Sequence, residues 1–126
     1  MKFYKKGEII AEDGRKEKEL FILMRGAVAI YKGDVKIAEF NETGTIIGEM
    51  SLILETERTA TIVALEDSEV VNLKISLDLL IEKFPGIAKS IMKTMAERLA
   101  NLTDNYWKLT SKTREKDLQE FDEEEK

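Results

Sequence analysis

Cysteine and histidine are both missing from this chain of 126 residues. Their absence excludes disulfides, zinc sites built from the usual ligands, iron–sulfur clusters, histidine-ligated haem, and every catalytic device that runs on a thiol or an imidazole. Most familiar enzyme chemistries lose their main reagents, and no metal is expected. No apolar run approaches the length of a membrane span. The opening "MKFYKKGEII" carries positive charge with no signal-peptide core behind it. A cytoplasmic protein without membrane contact is therefore expected. An excess of positive charge is missing too. The formal net charge is -5, which argues against direct nucleic acid binding, whose footprint is clustered Lys and Arg. Any anion bound here is small and locally caged.

What remains has two halves of different character. From Phe3 to about Ile75 the chain alternates glycines with short strand-like segments. In "ELFILMRGAVAIYKGDVKIAEF" two apolar runs flank Gly26, and Gly33-Asp34 reads as a tight hairpin turn. "TATIVALEDSEVVNLKIS" repeats the pattern, with Asp67 and Ser68 at the bend and Val71, Leu73 and Ile75 alternating on one face. Many short strands with frequent turns predict a sandwich or barrel.

After Ser76 the apolar period lengthens from two to about three and a half. Ser76 can cap a short helix over 77–84, with Asp78 near its positive end, and Pro85-Gly86 interrupts before a longer helix. Along that helix Met92, Met95, Leu99, Leu102, Tyr106 and Leu109 form a coiled-coil seam. From Gly86 to about Thr113 it would be roughly 40 Å long, more than a small β domain covers. Ile87 and Ile91 already supply an inward face. The seam therefore predicts a parallel homodimer.

The segment "IIGEMSLILETERTAT" carries the chemistry. Lysine outnumbers arginine by 15 to 5, so Arg58 is a choice between cations. Its flat fork of donors fits the oxygens of a phosphate or carboxylate. A helical turn starting at Gly48 would aim the free backbone N–H groups of Glu49, Met50 and Ser51 at an anion. Gly48 allows close approach. Glu49 accepts hydrogen bonds only when ionised, so its target is a neutral hydroxyl. A phosphate diester fused to a ribose ring would satisfy the whole set.

At these residues, Gly48-Glu49-Met50-Ser51-Leu52 followed by Arg58-Thr59-Ala60-Thr61, the chain resembles the phosphate-binding cassette of cyclic nucleotide-binding domains. That family includes bacterial catabolite-activator-type regulators, cyclic-nucleotide-dependent kinases and gated channels. "FYKKGEIIAEDG", "ELFILMRGAVAIY" and "TIVALEDSEVVNLK" extend the resemblance over about the first two-thirds of the chain. It implies a mainly β fold, a double-stranded β-helix or jelly-roll-like β-roll, followed by C-terminal helices of which the last is long. The resemblance further implies that Glu49 binds the ribose 2′-hydroxyl and Arg58 the cyclic phosphate, with Gly48, Met50 and Ser51 acting through their backbone. Thr59 would contact the phosphate or the purine edge, which leaves cAMP and cGMP both open, with cAMP favoured. "AERLANLTDN" resembles the region that covers the base, making Arg98 and Thr103 candidate base contacts, although Leu102 replaces a polar residue of that pattern.

The expected organisation is then a β-roll over 1–85 with the short helix at 77–84, a dimerisation and lid helix over 86–113, and an acidic, frayed or disordered tail over 114–126. Strand-like sequence begins at Phe3 without a leading helix, and no helix-turn-helix follows the long helix. A stand-alone sensor or a regulatory piece of something longer is expected. In the regulatory reading, a cyclic nucleotide closes the cassette and repositions the long helix, with no catalysis. The alternative is a β-roll scaffold that binds no nucleotide and serves dimerisation or protein interaction. A cupin-like metal enzyme is set aside for want of histidine.

Overall fold

The computed structural model describes the backbone of residues 1–125 and the side chains of residues 1–112, 118 and 119. The glycine-punctuated half forms eight strands: β1 (Lys2–Tyr4), β2 (Ile9–Ala11), β3 (Glu19–Arg25), β4 (Val28–Lys32), β5 (Val35–Phe40), β6 (Ile46–Ile47), β7 (Thr61–Ala64) and β8 (Ser68–Lys74). They pair antiparallel into two four-stranded sheets, ordered β1-β8-β3-β6 and β2-β7-β4-β5. The chain passes repeatedly from one sheet to the other, and the core lies between them. Phe21, Leu23 and Val70 from the first sheet meet Val28, Ile62 and Ala64 from the second. The expected mainly β roll followed by helices is the fold observed.

Local chemistry explains the turns. Lys32 pairs with Val35 across a two-residue loop, and Gly33 adopts φ 61, a left-handed conformation that glycine takes without strain. Between β7 and β8 the expectation needs correcting. These strands do not form a hairpin: β7 pairs with β2 and β4, whereas β8 pairs with β1 and β3. Asp67 lies in the crossing, but Ser68 is already the first residue of β8 and is fully buried. The deeply buried parity of β8 is Ser68 and Val70, while Val71 and Leu73 face the other way and are half-buried. Alternation fixes which residues share a face; it does not say which face is the core.

Three helices complete the chain: α1 (Glu49–Leu54), α2 (Leu77–Lys83) and α3 (Pro85–Glu125). Ser76 caps α2, its hydroxyl accepting the Leu79 N–H at 3.3 Å. Pro85 is the first residue of α3, where its missing N–H costs no intrahelical bond, so that helix starts one residue before Gly86. Its backbone is helical through Glu125, and the frayed or disordered tail expected over 114–126 falls mostly on side chains outside the described residues. The chain divides into two compact units, Met1–Ile87 and the residues from Ala88 onward. In the second unit Met92, Leu99, Leu102, Tyr106 and Leu109 are exposed and Met95 is half-buried.

Candidate functional site

The site is assembled where β6 gives way to α1. Gly48 is the N-cap of α1 with φ 82, a left-handed conformation disfavoured for any residue carrying a Cβ. The N–H groups of the first turn have no partner within a helix, and they open from this point. The Ser51 hydroxyl donates back to Gly48 O at 3.3 Å and so tightens the turn. Glu49 occupies the first turn and is 6 % exposed. Met50 turns its side chain to solvent, which leaves its backbone as the part that can serve the site.

Arg58 enters the same place from the loop ahead of β7. Its side chain is 4 % exposed. Nη2 donates to Glu19 O at 2.7 Å, Nη1 donates to Gly48 O at 3.4 Å, and the guanidinium carbon stands 5.0 Å from the centre of the Phe21 ring. Two carbonyls and an aromatic face thus fix a cation that has no ion-pair partner among the described residues. Nε is buried and without a hydrogen-bond partner there. Burial lowers the Arg58 pKa from its ordinary value, and the longer-range fields of Glu17 and Glu19 oppose that shift. The group stays protonated at every accessible pH. A buried, charged guanidinium with an unused donor is suited to a small anion, which would add charge-assisted bonds.

Gly48 and Arg58 also shape one another. A Cβ built on Gly48 would lie 2.7 Å from Arg58 Nη1 and 3.1 Å from Phe21 Cδ2. Glycine is therefore required twice, by backbone conformation and by the space the guanidinium occupies.

Of the residues read from sequence, the structure brings Gly48, Glu49, Ser51 and Arg58 together at the start of α1. Thr59 follows directly, exposed, with its carbonyl oxygen accepting from Lys32 Nζ at 2.6 Å. Arg98 and Thr103 lie exposed on α3 in the second unit, the Thr103 hydroxyl donating to Leu99 O at 2.9 Å. The sequence reading missed Glu19, Phe21 and Lys32. Glu19 serves Arg58 through a main-chain carbonyl, for which no side-chain signal exists. Phe21 reads as ordinary core, and Lys32 as one lysine among many. Among the described residues no group of three His, Cys, Asp or Glu is placed to hold a metal ion, and no helix is long and apolar enough to cross a membrane.

Comparison with known proteins gives a consistent picture. A family model described as "Cyclic nucleotide-binding domain" matches residues 1–77. The chain is 30% identical over 103 residues to the Cyclic AMP receptor protein of Thermus thermophilus, covering 78% of this chain and 48% of that protein. It is 29% identical over 104 residues to Lysophospholipase NTE1 of Coccidioides immitis, covering 79% of this chain but only 7% of the relative. Among solved structures, the Thermus thermophilus catabolite activator protein superposes with a TM-score of 0.72 at 29% identity, covering 87% of this chain and 54% of that one. PKAR CBD2 bound to Sp-2Cl-cAMPS gives a TM-score of 0.64 at 28% identity, covering 79% and 66%. The chain thus spans about half the length of the receptor protein and a small part of the lysophospholipase.

Proposed function

The chain belongs to the cyclic nucleotide-binding domain family, and from that premise we propose that it is a regulatory module that binds a cyclic purine nucleotide, cAMP before cGMP, in the cassette between Gly48 and Thr59. The observation that carries this reading is Arg58: a guanidinium 4 % exposed, held by carbonyls rather than carboxylates, with Nε unused. A buried cation without its own counter-ion is costly unless the site exists to receive one. The cyclic phosphate supplies that charge. Backbone N–H groups of Glu49, Met50 and Ser51 assist at the start of α1, Glu49 accepts from the ribose 2′-hydroxyl, and Thr59 lies beside the phosphate.

In this reading Arg98 and Thr103 meet the base when α3 takes up its ligand-bound position, so the nucleotide biases a two-state arrangement. A homodimer through the α3 seam transmits that bias. The module carries no catalysis of its own, contacts neither nucleic acid nor membrane, and works in the cytoplasm. Its similarity to a lysophospholipase concerns a segment covering 7% of that enzyme, and the enzyme's activity is not carried over. The names of the relatives support cAMP as the first ligand to test.

The test is isothermal titration calorimetry with cAMP and with cGMP, after a denature–refold step that strips carried-over ligand. Saturable binding at micromolar affinity or better, tighter for cAMP, is expected. No heat with either nucleotide, together with an unchanged melting temperature, overturns the proposal in favour of a non-binding scaffold.

A further inference from the structure

The segment that delivers Arg58 is gripped from both sides. On one side, the loop after β2 makes two backbone bonds to it: Arg58 N–H donates to Arg15 O at 2.9 Å, and Gly14 N–H donates to Arg58 O at 2.7 Å. On the other side backbone pairing has run out, because the β4 to β7 ladder ends at Tyr31 and Thr61. Lys32 continues the grip with its side chain. Its Nζ donates to Thr59 O at 2.6 Å and to Asp13 Oδ2 at 3.1 Å. Asp13 is tied to the same strand, its N–H donating to Thr61 Oγ1 at 3.1 Å. Since β2 and β4 flank β7 in the sheet, the Lys32–Asp13 pair closes over the 58–61 segment from one neighbour to the other.

An exposed lysine–aspartate pair contributes little to stability by itself. Here the ammonium also fixes the carbonyl of Thr59, the residue directly after Arg58. The geometry points to Lys32 as a positioning residue for the anion site: it holds the Arg58–Thr59 backbone so that the guanidinium stands ready between Gly48 and Phe21. A site whose cation is already placed loses less conformational freedom on binding, which appears as affinity. This inference rests on the cyclic nucleotide reading and adds to it a residue that never touches the ligand.

Three proteins test it: the parent, Lys32→Met, which keeps the aliphatic stem but no donor, and Lys32→Arg, which restores one. Each is titrated with cAMP by calorimetry, and the amide exchange of each is followed without ligand. Lys32→Met is expected to bind about tenfold more weakly, the scale of one charge-assisted hydrogen bond. Lys32→Arg should recover most of that loss. In Lys32→Met the Arg58 and Gly14 amides should exchange faster while those of Leu23 and Val70 in the core stay protected. Equal affinity of Lys32→Met and parent overturns the inference. So does a uniform loss of protection with no rescue by arginine, which would mark Lys32 as a general stabiliser. If the parent itself binds no cyclic nucleotide, the functional reading fails first, and that outcome is distinct.

Discussion

Gly48 and Arg58 are coupled so closely that substitutions at the two positions should be distinguishable. Gly48→Ala forces a Cβ into a backbone with φ 82, which costs about 1–2 kcal/mol of stability. The same Cβ would lie 2.7 Å from Arg58 Nη1, a flexible side-chain end that can move aside. Moving it relieves the clash and spoils the site, so cAMP affinity should fall further than stability does. Arg58→Leu should separate the two quantities further, losing affinity without the loss of stability. Binding should weaken by about 2–4 kcal/mol, thirtyfold to several hundredfold, from lost charge-assisted bonds and an unpaired phosphate. Stability should hold or rise, because a desolvated guanidinium without a counter-ion is replaced by an apolar side chain. Calorimetry paired with urea unfolding measures both quantities. An Arg58→Leu protein that binds cAMP as tightly as the parent would show that the phosphate is held elsewhere.

Where the chain crosses from β7 to β8, Gly26 packs tightly against Ser68. Gly26 has φ 102, and a Cβ there would lie 2.3 Å from Ser68 Oγ, 2.7 Å from Asp67 O and 2.8 Å from Ser68 Cα. Ser68 fills that space from the other side: its Oγ accepts the Ala27 N–H at 3.2 Å and donates to Glu66 O at 2.8 Å. Gly26→Ala should therefore cost about 3 kcal/mol or more, through backbone strain and a clash with main-chain atoms. Ser68→Ala should cost about 1–3 kcal/mol by leaving the buried Ala27 N–H without its acceptor. The double variant should not recover the Gly26→Ala loss, because Asp67 O and Ser68 Cα remain in the way; recovery in urea unfolding would mean that the hydroxyl alone sets the spacing. None of this was legible in sequence. The meeting of Gly48 with Arg58 was, because the two lie ten residues apart on either side of one short helical turn. The Gly33-Asp34 hairpin was legible for the same reason, as its partners are neighbours along the chain. The destination of β8 depends on pairs such as Leu20 with Leu73, far apart in sequence, and the role of Lys32 depends on a carbonyl across the sheet.

For the molecule as a whole, α3 raises the question of a second copy. Met92, Leu99, Leu102, Tyr106 and Leu109 are exposed apolar residues that recur at coiled-coil spacing along one helix. Heptad phase puts Met92, Leu99 and Tyr106 at one core position and Met95, Leu102 and Leu109 at the other. Leucine at the second position is compatible with two parallel strands. The flanking positions are Ile91, Ala96, Arg98, Thr103, Asn105 and Thr110, nearly all uncharged, so neither repulsion nor ion pairing sets the association. The same stripe on both copies satisfies two-fold symmetry. Sedimentation should then give a dimer at high micromolar concentration whose dissociation constant changes little between low and high salt, as apolar burial requires and charge pairing does not. Leu102→Glu, which sets two carboxylates against each other across the seam, should sediment as a monomer. A parent chain that is monomeric under these conditions would leave the stripe for another partner and would confine the nucleotide's effect to a single copy of α3.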